Sequence, residues 1–229
     1  MLFNSFEYCL FLPLVVLVYF AMPGRLRWGW LLLASCLFYM AFRPIYILIL
    51  ALTIGIDYAA GLWIAEARGG RRKAYLGLSL VANLGVLAVF KYWPFLHQNA
   101  GWLFQLAGAR NPLPALDIVL PIGLSFHTFQ AMSYTIEVYR GAQAPERHLG
   151  RYALYVMYFP QLVAGPIERP QNLLPQLAGI DDARFSADAA ASGMRLILWG
   201  LLKKVVVADR LASLVDSVYF DVGHADSPA

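Results

Sequence analysis

From Tyr8 to Met22 the chain is almost unbroken apolar sequence, and the run stops at Pro23-Gly24 ahead of Arg25 and Arg27. A second run extends from Trp28 to Phe42 and ends at Arg43-Pro44. A third, Ile45 to Ala65, carries one internal acid, Asp57, and meets a dense basic loop of Arg68, Arg71, Arg72 and Lys73. A fourth covers about Ala74 to Trp93. The stretch from Pro94 to Pro114 is weaker and glycine-containing, and it reads as a short interfacial or re-entrant piece rather than a span. Further runs cover Ile118 to Tyr139 and about Tyr152 to Ala164. A polar connection to about Ala191 follows, and then a last helix from about Ser192 to Val218, interrupted by Lys203-Lys204. Each run is continuous over roughly 15–20 residues, without the two-residue alternation of a transmembrane strand, so helices are predicted and a barrel is not.

At roughly 20 residues per crossing plus loops, six to eight hydrophobic helices fit the length. The predicted fold is therefore all-α, a polytopic transmembrane bundle forming one membrane domain over residues 1–229. Composition strengthens that reading. Hydrophobic residues make up 60% and charged residues 14% of the chain, where soluble domains average about 45–50% and about 25%. Mean hydropathy is +0.58. The net charge of +4 sits in short loops, which is the distribution of a topology signal and not of a nucleic-acid face. Arg25 and Arg27, the Arg68–Lys73 loop, and Arg140, Arg147 and Arg151 alternate with nearly uncharged loops. That alternation places the first and third loops inside and the N-terminus outside. Residues 1–7 carry an acid and no base, so the first helix is expected to stay and not to be cleaved as a leader. Cys9 and Cys36 lie in apolar runs and read as small core residues.

Polar residues inside such runs are costly and face protein or a water-filled path. Asp57 could be a proton or ion site, or a carboxylate bonded to a neighbouring hydroxyl; the approach of the basic loop favours the second. His127, Gln130 and Tyr134 fall on one helical stripe through the i, i+3, i+7 relation. A neutral imidazole there could take a proton from a substrate hydroxyl, or could simply bond a facing helix, and His127 reads more readily as part of a lining. Phe159-Pro160-Gln161 and Gly165-Pro166-Ile167-Glu168-Arg169-Pro170 break the backbone twice. Broken backbone at membrane depth survives where protein or a cavity covers it, so Gln161, Pro166 and Glu168 are candidate walls of a substrate path. An ordinary helix end at the surface is the competing account. Lys203-Lys204 read as snorkelling lysines. His97, His148 and His224 are expected in loops or tails without partners. No metal-ligand spacing, nucleophile elbow or phosphate-cradling loop occurs.

Taken in order, three motifs resemble the membrane-bound O-acyltransferase family, and most closely its bacterial alginate O-acetylation branch. They are Leu120-Pro121-Ile122-Gly123-Leu124-Ser125-Phe126 with Thr128-Phe129-Gln130, Phe159-Pro160-Gln161-Leu162-Val163-Ala164-Gly165-Pro166-Ile167, and Gly200-Leu201-Leu202-Lys203-Lys204-Val205-Val206-Val207-Ala208-Asp209-Arg210-Leu211. The opening Met1-Leu2-Phe3-Asn4-Ser5-Phe6-Glu7-Tyr8 is similar to that branch as well. The resemblance implies a multi-pass enzyme of the bacterial inner membrane that passes an acyl group, usually acetyl, to hydroxyls of an exported polysaccharide such as alginate. The donor would be acetyl-CoA or another activated acyl group, with no bound cofactor, and periplasmic acetyltransferase proteins would be partners. It also implies an essential histidine beyond Ala229, since members of the family are about twice as long. The chain is thus expected to match the N-terminal half of such an enzyme and to be inactive alone. On this reading His127, Gln130, Gln161, Pro166 and Glu168 are substrate-path residues, with His127 only a weak catalytic candidate. A transporter or flippase-like carrier using Asp57 and His127, and a non-catalytic subunit of exopolysaccharide machinery, are the alternatives.

Overall fold

The computed structural model describes residues 3–106, 108–114, 121, 123–162 and 165–225, with side chains described up to Tyr219. Among the described residues every regular element is helical. The start of the expected Ile118 helix, Ile122 within the first motif, and Val163 and Ala164 within the second lie outside the described residues.

Helix α1 runs Phe6–Ala21 and stops ahead of Pro23-Gly24. Helix α2, Gly24–Met40, starts directly after Pro23, with Arg25 and Arg27 inside its first turns. A short 3₁₀ turn, Pro44–Tyr46, leads into α3, Ile47–Glu66. Helix α4 covers Gly70–Leu106 without interruption. The expected break at Pro94 is thus corrected. Proline removes one backbone donor and crowds the preceding turn, but a long apolar helix absorbs that loss. At 1.5 Å per residue α4 is about 55 Å long, well beyond a hydrocarbon core of about 30 Å. The chain then folds back along its far end, where the Trp93 indole donates to the Pro114 carbonyl at 3.2 Å and Asn111 to the His97 carbonyl at 3.1 Å. His97 is therefore a residue of α4 whose ring lies 3.0 Å from the Leu113 carbonyl oxygen, and not a partnerless loop histidine.

Helix α5, Leu124–Arg140, lies between left-handed glycines, Gly123 at φ 77° and Gly141 at φ 78°. Helix α6 spans only Leu149–Met157 and is followed after Tyr158 by the single turn α7, Phe159–Leu162. The expected continuous run from Tyr152 is therefore two pieces. His148 caps α6, its Nδ1 accepting from the Arg151 backbone N–H at 3.1 Å, and its ring sits edge-on to Trp28 at 4.7 Å. This also corrects the expectation of an unpartnered loop histidine. Helix α8, Pro170–Ala178, buries Pro170, Leu173, Leu174 and Leu177, so the supposed polar connection contains a packed amphipathic helix.

Among the described residues two helical segments are long and apolar enough to cross a bilayer, Pro44–Glu66 and Gly70–Leu106, and α1 is a shorter apolar helix. The described chain divides into two compact units. In the larger, residues 21–182, α3, α4 and α5 pack against one another, and α2 and α8 pack on α6. The smaller joins residues 1–20 to residues 183–229. It holds α9, Ala187–Leu202, a π-helical segment, Lys203–Ala208, and α10, Asp209–Ala225. Phe20 stacks edge-on to Phe185 within it, with ring centroids 5.3 Å apart. The π segment falls where the lysine pair interrupts the apolar run. A wider turn brings residues five apart together, and Lys204 pairs with Asp209 there while Lys203 lies over the Trp199 ring at 5.3 Å. Both lysines thus have local partners. His224 belongs to α10 and its side chain lies outside the described residues.

Candidate functional site

The polar residues of the larger unit form two buried clusters on opposite flanks of α5. Its buried face carries Leu124, His127, Thr128, Gln130, Ala131, Tyr134, Thr135 and Val138, whereas Phe126 and Phe129 point outward. The helical stripe seen in the sequence is therefore the packed face.

The first cluster lies between α3, α4 and α5. Asp57 is fully buried. Its Oδ1 accepts from the Ser79 hydroxyl at 2.6 Å, and the Asn83 amide donates to Oδ1 and Oδ2, both at 2.8 Å. Ser79 in turn lies 3.0 Å from the Thr135 hydroxyl on α5. The carboxylate is thus held by neutral donors from a facing helix, the hydroxyl-bonded alternative read from the sequence. One turn earlier on α3, Thr53 sits 3.3 Å from His127 Nε2 and also bonds the Leu50 carbonyl at 3.0 Å. His127 is 2% exposed and serves as a helix-to-helix contact. Gly61 permits the close approach of α3 to α5, since a Cβ there would lie 2.7 Å from the Tyr134 ring.

The second cluster accounts for the break between α6 and α7. In a continuous helix the Tyr155 carbonyl would accept from the Phe159 N–H. Here that carbonyl accepts instead from Gln130 Nε2 at 2.6 Å and Gln161 Nε2 at 3.1 Å. The freed Phe159 N–H donates to Ser35 Oγ on α2 at 3.2 Å, and the Ser35 hydroxyl in turn donates to the Leu31 carbonyl at 2.7 Å. The Tyr155 carbonyl and the Phe159 N–H, both released by the break, are thus each met by a side chain, as burial favours. Gln130 and Gln161, 3% and 8% exposed, converge on one carbonyl. His127 does not join them. Glu168 is held differently, since its backbone carbonyl accepts from the Tyr155 hydroxyl at 3.0 Å while its side chain is reached by Asn172 at 3.4 Å. Pro166 is exposed. Gly165 leaves no room for a side chain, because a Cβ there would meet the Gln161 Cα at 2.3 Å.

Ser35, Thr53, Ser79, Asn83 and Thr135 were not singled out from the sequence. Ser79 and Asn83 did leave a signal, being polar residues four apart on the face of an otherwise apolar helix. Ser35 left none, because a lone serine in an apolar helix usually bonds its own preceding turn. Among the described residues no group of three or more histidines, cysteines and acids could hold a metal.

The basic ends of the larger unit gather together. Arg72 at the start of α4 donates to the Ile64 carbonyl of α3 at 3.2 Å and the Tyr139 carbonyl of α5 at 2.7 Å. Tyr58, near the same end of α3, donates to the Arg147 carbonyl at 2.5 Å. Arg151 at the start of α6 faces Asp181 at 3.8 Å, and Arg27 reaches the Asp181 carbonyl at 3.4 Å.

Known proteins are similar to this sequence. The chain is 35% identical over 212 residues to the protein named "Probable alginate O-acetylase AlgI" of Azotobacter vinelandii. It is 36% identical, also over 212 residues, to the protein of the same name from Pseudomonas aeruginosa. The chain is thus similar to proteins named as O-acetylases. The "Peptidoglycan O-acetyltransferase" of Helicobacter pylori is 28% identical over 236 residues. These alignments take in 92%, 92% and 90% of the chain but 42%, 40% and 44% of the relatives. The chain therefore spans about two fifths of the length of the O-acyltransferases it matches. No family model and no solved structure matches it.

Proposed function

We propose that the chain forms part of an O-acyltransferase of the bacterial inner membrane that acylates hydroxyls, acetyl being the expected group, on an exported polysaccharide such as alginate. The observation that carries this reading is the identity of 35–36% over 212 residues to proteins named as alginate O-acetylases. In the reaction the acceptor hydroxyl attacks the acyl carbonyl of a donor such as acetyl-CoA. The hydroxyl proton passes to a base, the new ester C–O bond forms, and the C–S bond breaks to release the thiol.

Within that enzyme the described residues act as framework. Gln130 and Gln161 hold the broken segment in place, and His127 ties α5 to α3. The exposed Pro166 and the adjoining Glu168 are the parts of the broken segment able to meet a substrate directly. The acid–base step needs residues from the remaining length that the relatives possess. We place the N-terminus outside and the gathered arginines inside, with a periplasmic acetyltransferase as partner. The convergence of Arg27, Arg72 and Arg151 at one end of the larger unit supports that orientation. The named relatives are acyl-transfer proteins, and nothing favours the carrier reading.

The test is a chimera in which this chain replaces the matching segment of the Pseudomonas aeruginosa relative. Acetylated alginate from cells carrying the chimera is expected. A chimera that inserts in the membrane and melts like its parent, yet yields no acetylated polymer, overturns the reading.

A further inference from the structure

At the turn between α3 and α4 a cleft of about 620 Å³ is lined by Trp63, Glu66, Arg68, Arg71 and Tyr75, among others. Its two chemistries are separated along the helix axis. Trp63, 46% exposed, and Tyr75 form an aromatic pair with ring centroids 5.4 Å apart. They sit at the meeting ends of the two helices long enough to cross a bilayer. Aromatic rings favour the headgroup level of a membrane. Beyond them stand Arg68 and Arg71, both exposed. Neither is in any of the ion pairs among the described residues. Arg72, one position further on, is committed to helix carbonyls and stacks over Tyr139 at 5.2 Å. The cleft also holds the start of the 37-residue helix α4, whose free N–H groups favour an anion.

We propose that this cleft binds the phosphate of an anionic phospholipid headgroup, with Arg68 and Arg71 on the phosphate and Trp63 and Tyr75 against the glycerol and upper acyl region. This inference goes beyond acyl transfer and stands independently of it. A lipid is favoured over a soluble phosphate because the aromatic half of the cleft would otherwise face water beside the charges. Guanidinium groups suit phosphate through paired N–H donors. Glu66 opposes one of the two positive charges.

Each basic side chain near the headgroups favours an anionic lipid by about fivefold. Two arginines less one glutamate therefore predict a net preference of about fivefold. The experiment places the 229-residue chain in phosphatidylcholine nanodiscs doped with brominated phosphatidylglycerol or brominated phosphatidylcholine. Tryptophan quenching is measured, and the Trp63 share is taken as the difference from Trp63→Phe. The expected result is about fivefold stronger quenching of Trp63 by the brominated anionic lipid. That preference should fall to parity or below in Arg68→Gln/Arg71→Gln, persist in Lys73→Gln, and rise about fivefold in Glu66→Gln. Equal quenching by the two lipids overturns the proposal, as does a loss in Lys73→Gln matching that of the double variant, or no rise in Glu66→Gln. Inorganic pyrophosphate that abolishes the anionic-lipid quenching assigns the cleft to a soluble phosphate ligand, and that also overturns it.

Discussion

A buried carboxylate with only neutral partners makes Asp57 the most consequential single residue of the larger unit. Replacing it with alanine removes one acceptor from the Ser79 hydroxyl, which keeps Thr135, and leaves the Asn83 amide with the Ser79 carbonyl alone at 3.0 Å. A buried polar group left short of a partner costs about 1–3 kcal/mol. Asp57→Ala is therefore expected to lower the melting temperature in detergent clearly. The double variant Asp57→Ala/Asn83→Ala is expected to lose less than the sum of the two single variants, because it removes both halves of one interaction. Additive losses would show that the two side chains do not act together. Gly61→Ala probes the next contact along α3. Its methyl would press on the Tyr134 ring at 2.7 Å, and overpacking of this kind costs about 1–3 kcal/mol. Tyr134→Phe should not relieve it, since the ring carbon Cε1 is the nearest atom met. The hydroxyl partner of Asp57 could be anticipated from the apolar setting of the acid. Ser79 and Asn83 stood out as polar residues on an apolar stretch but could not be assigned to Asp57, because a single sequence does not say which helices touch.

The α6–α7 break ties sequence to structure at the scale of elements. Two prolines within seven positions announce a broken backbone, and the sequence further requires that protein or a cavity cover it. What it leaves open is the partners, which come from α2, 124 positions away for Ser35, and from α5, 25 positions away for Gln130. Either glutamine alone can still serve the Tyr155 carbonyl, so Gln130→Ala and Gln161→Ala should each be mild. The double variant leaves that carbonyl bare and should cost about 1–3 kcal/mol beyond the sum. Ser35→Ala strands the Phe159 N–H, and hydrogen exchange at that amide is expected to speed up while exchange within α3 is unchanged. Equal acceleration throughout the larger unit would mean that the serine supports global packing and not the break. The helix α4 shows the opposite outcome, since Pro94 looked like a stop and was not. Proline is a local penalty, and the apolar sequence on both of its sides outweighs it. Helix α8 was hidden for a related reason, because Leu173, Leu174 and Leu177 form too short an apolar face to stand out among polar neighbours.

For the whole molecule, the continuous apolar runs indicated an all-helical membrane protein and composition agreed, while the three ordered motifs pointed to acyl transfer. The location of chemistry was less legible. Residues flagged for their polarity inside apolar helices turn out to hold helices together, as His127 holds Thr53 and the two glutamines hold one carbonyl. Polarity at membrane depth marks a group that needs a partner, and the partner is as readily backbone as substrate. We therefore propose that this chain supplies framework and substrate path while transfer depends on the rest of the length its relatives have. The direct measurement is acetyl transfer from acetyl-CoA to unacetylated alginate by the 229-residue chain reconstituted in liposomes, read as ester acetate on the polymer. No ester above the protein-free background is expected. Acetylated alginate formed by this chain alone, and lost in His127→Phe, would contradict it and make the buried imidazole a catalytic group.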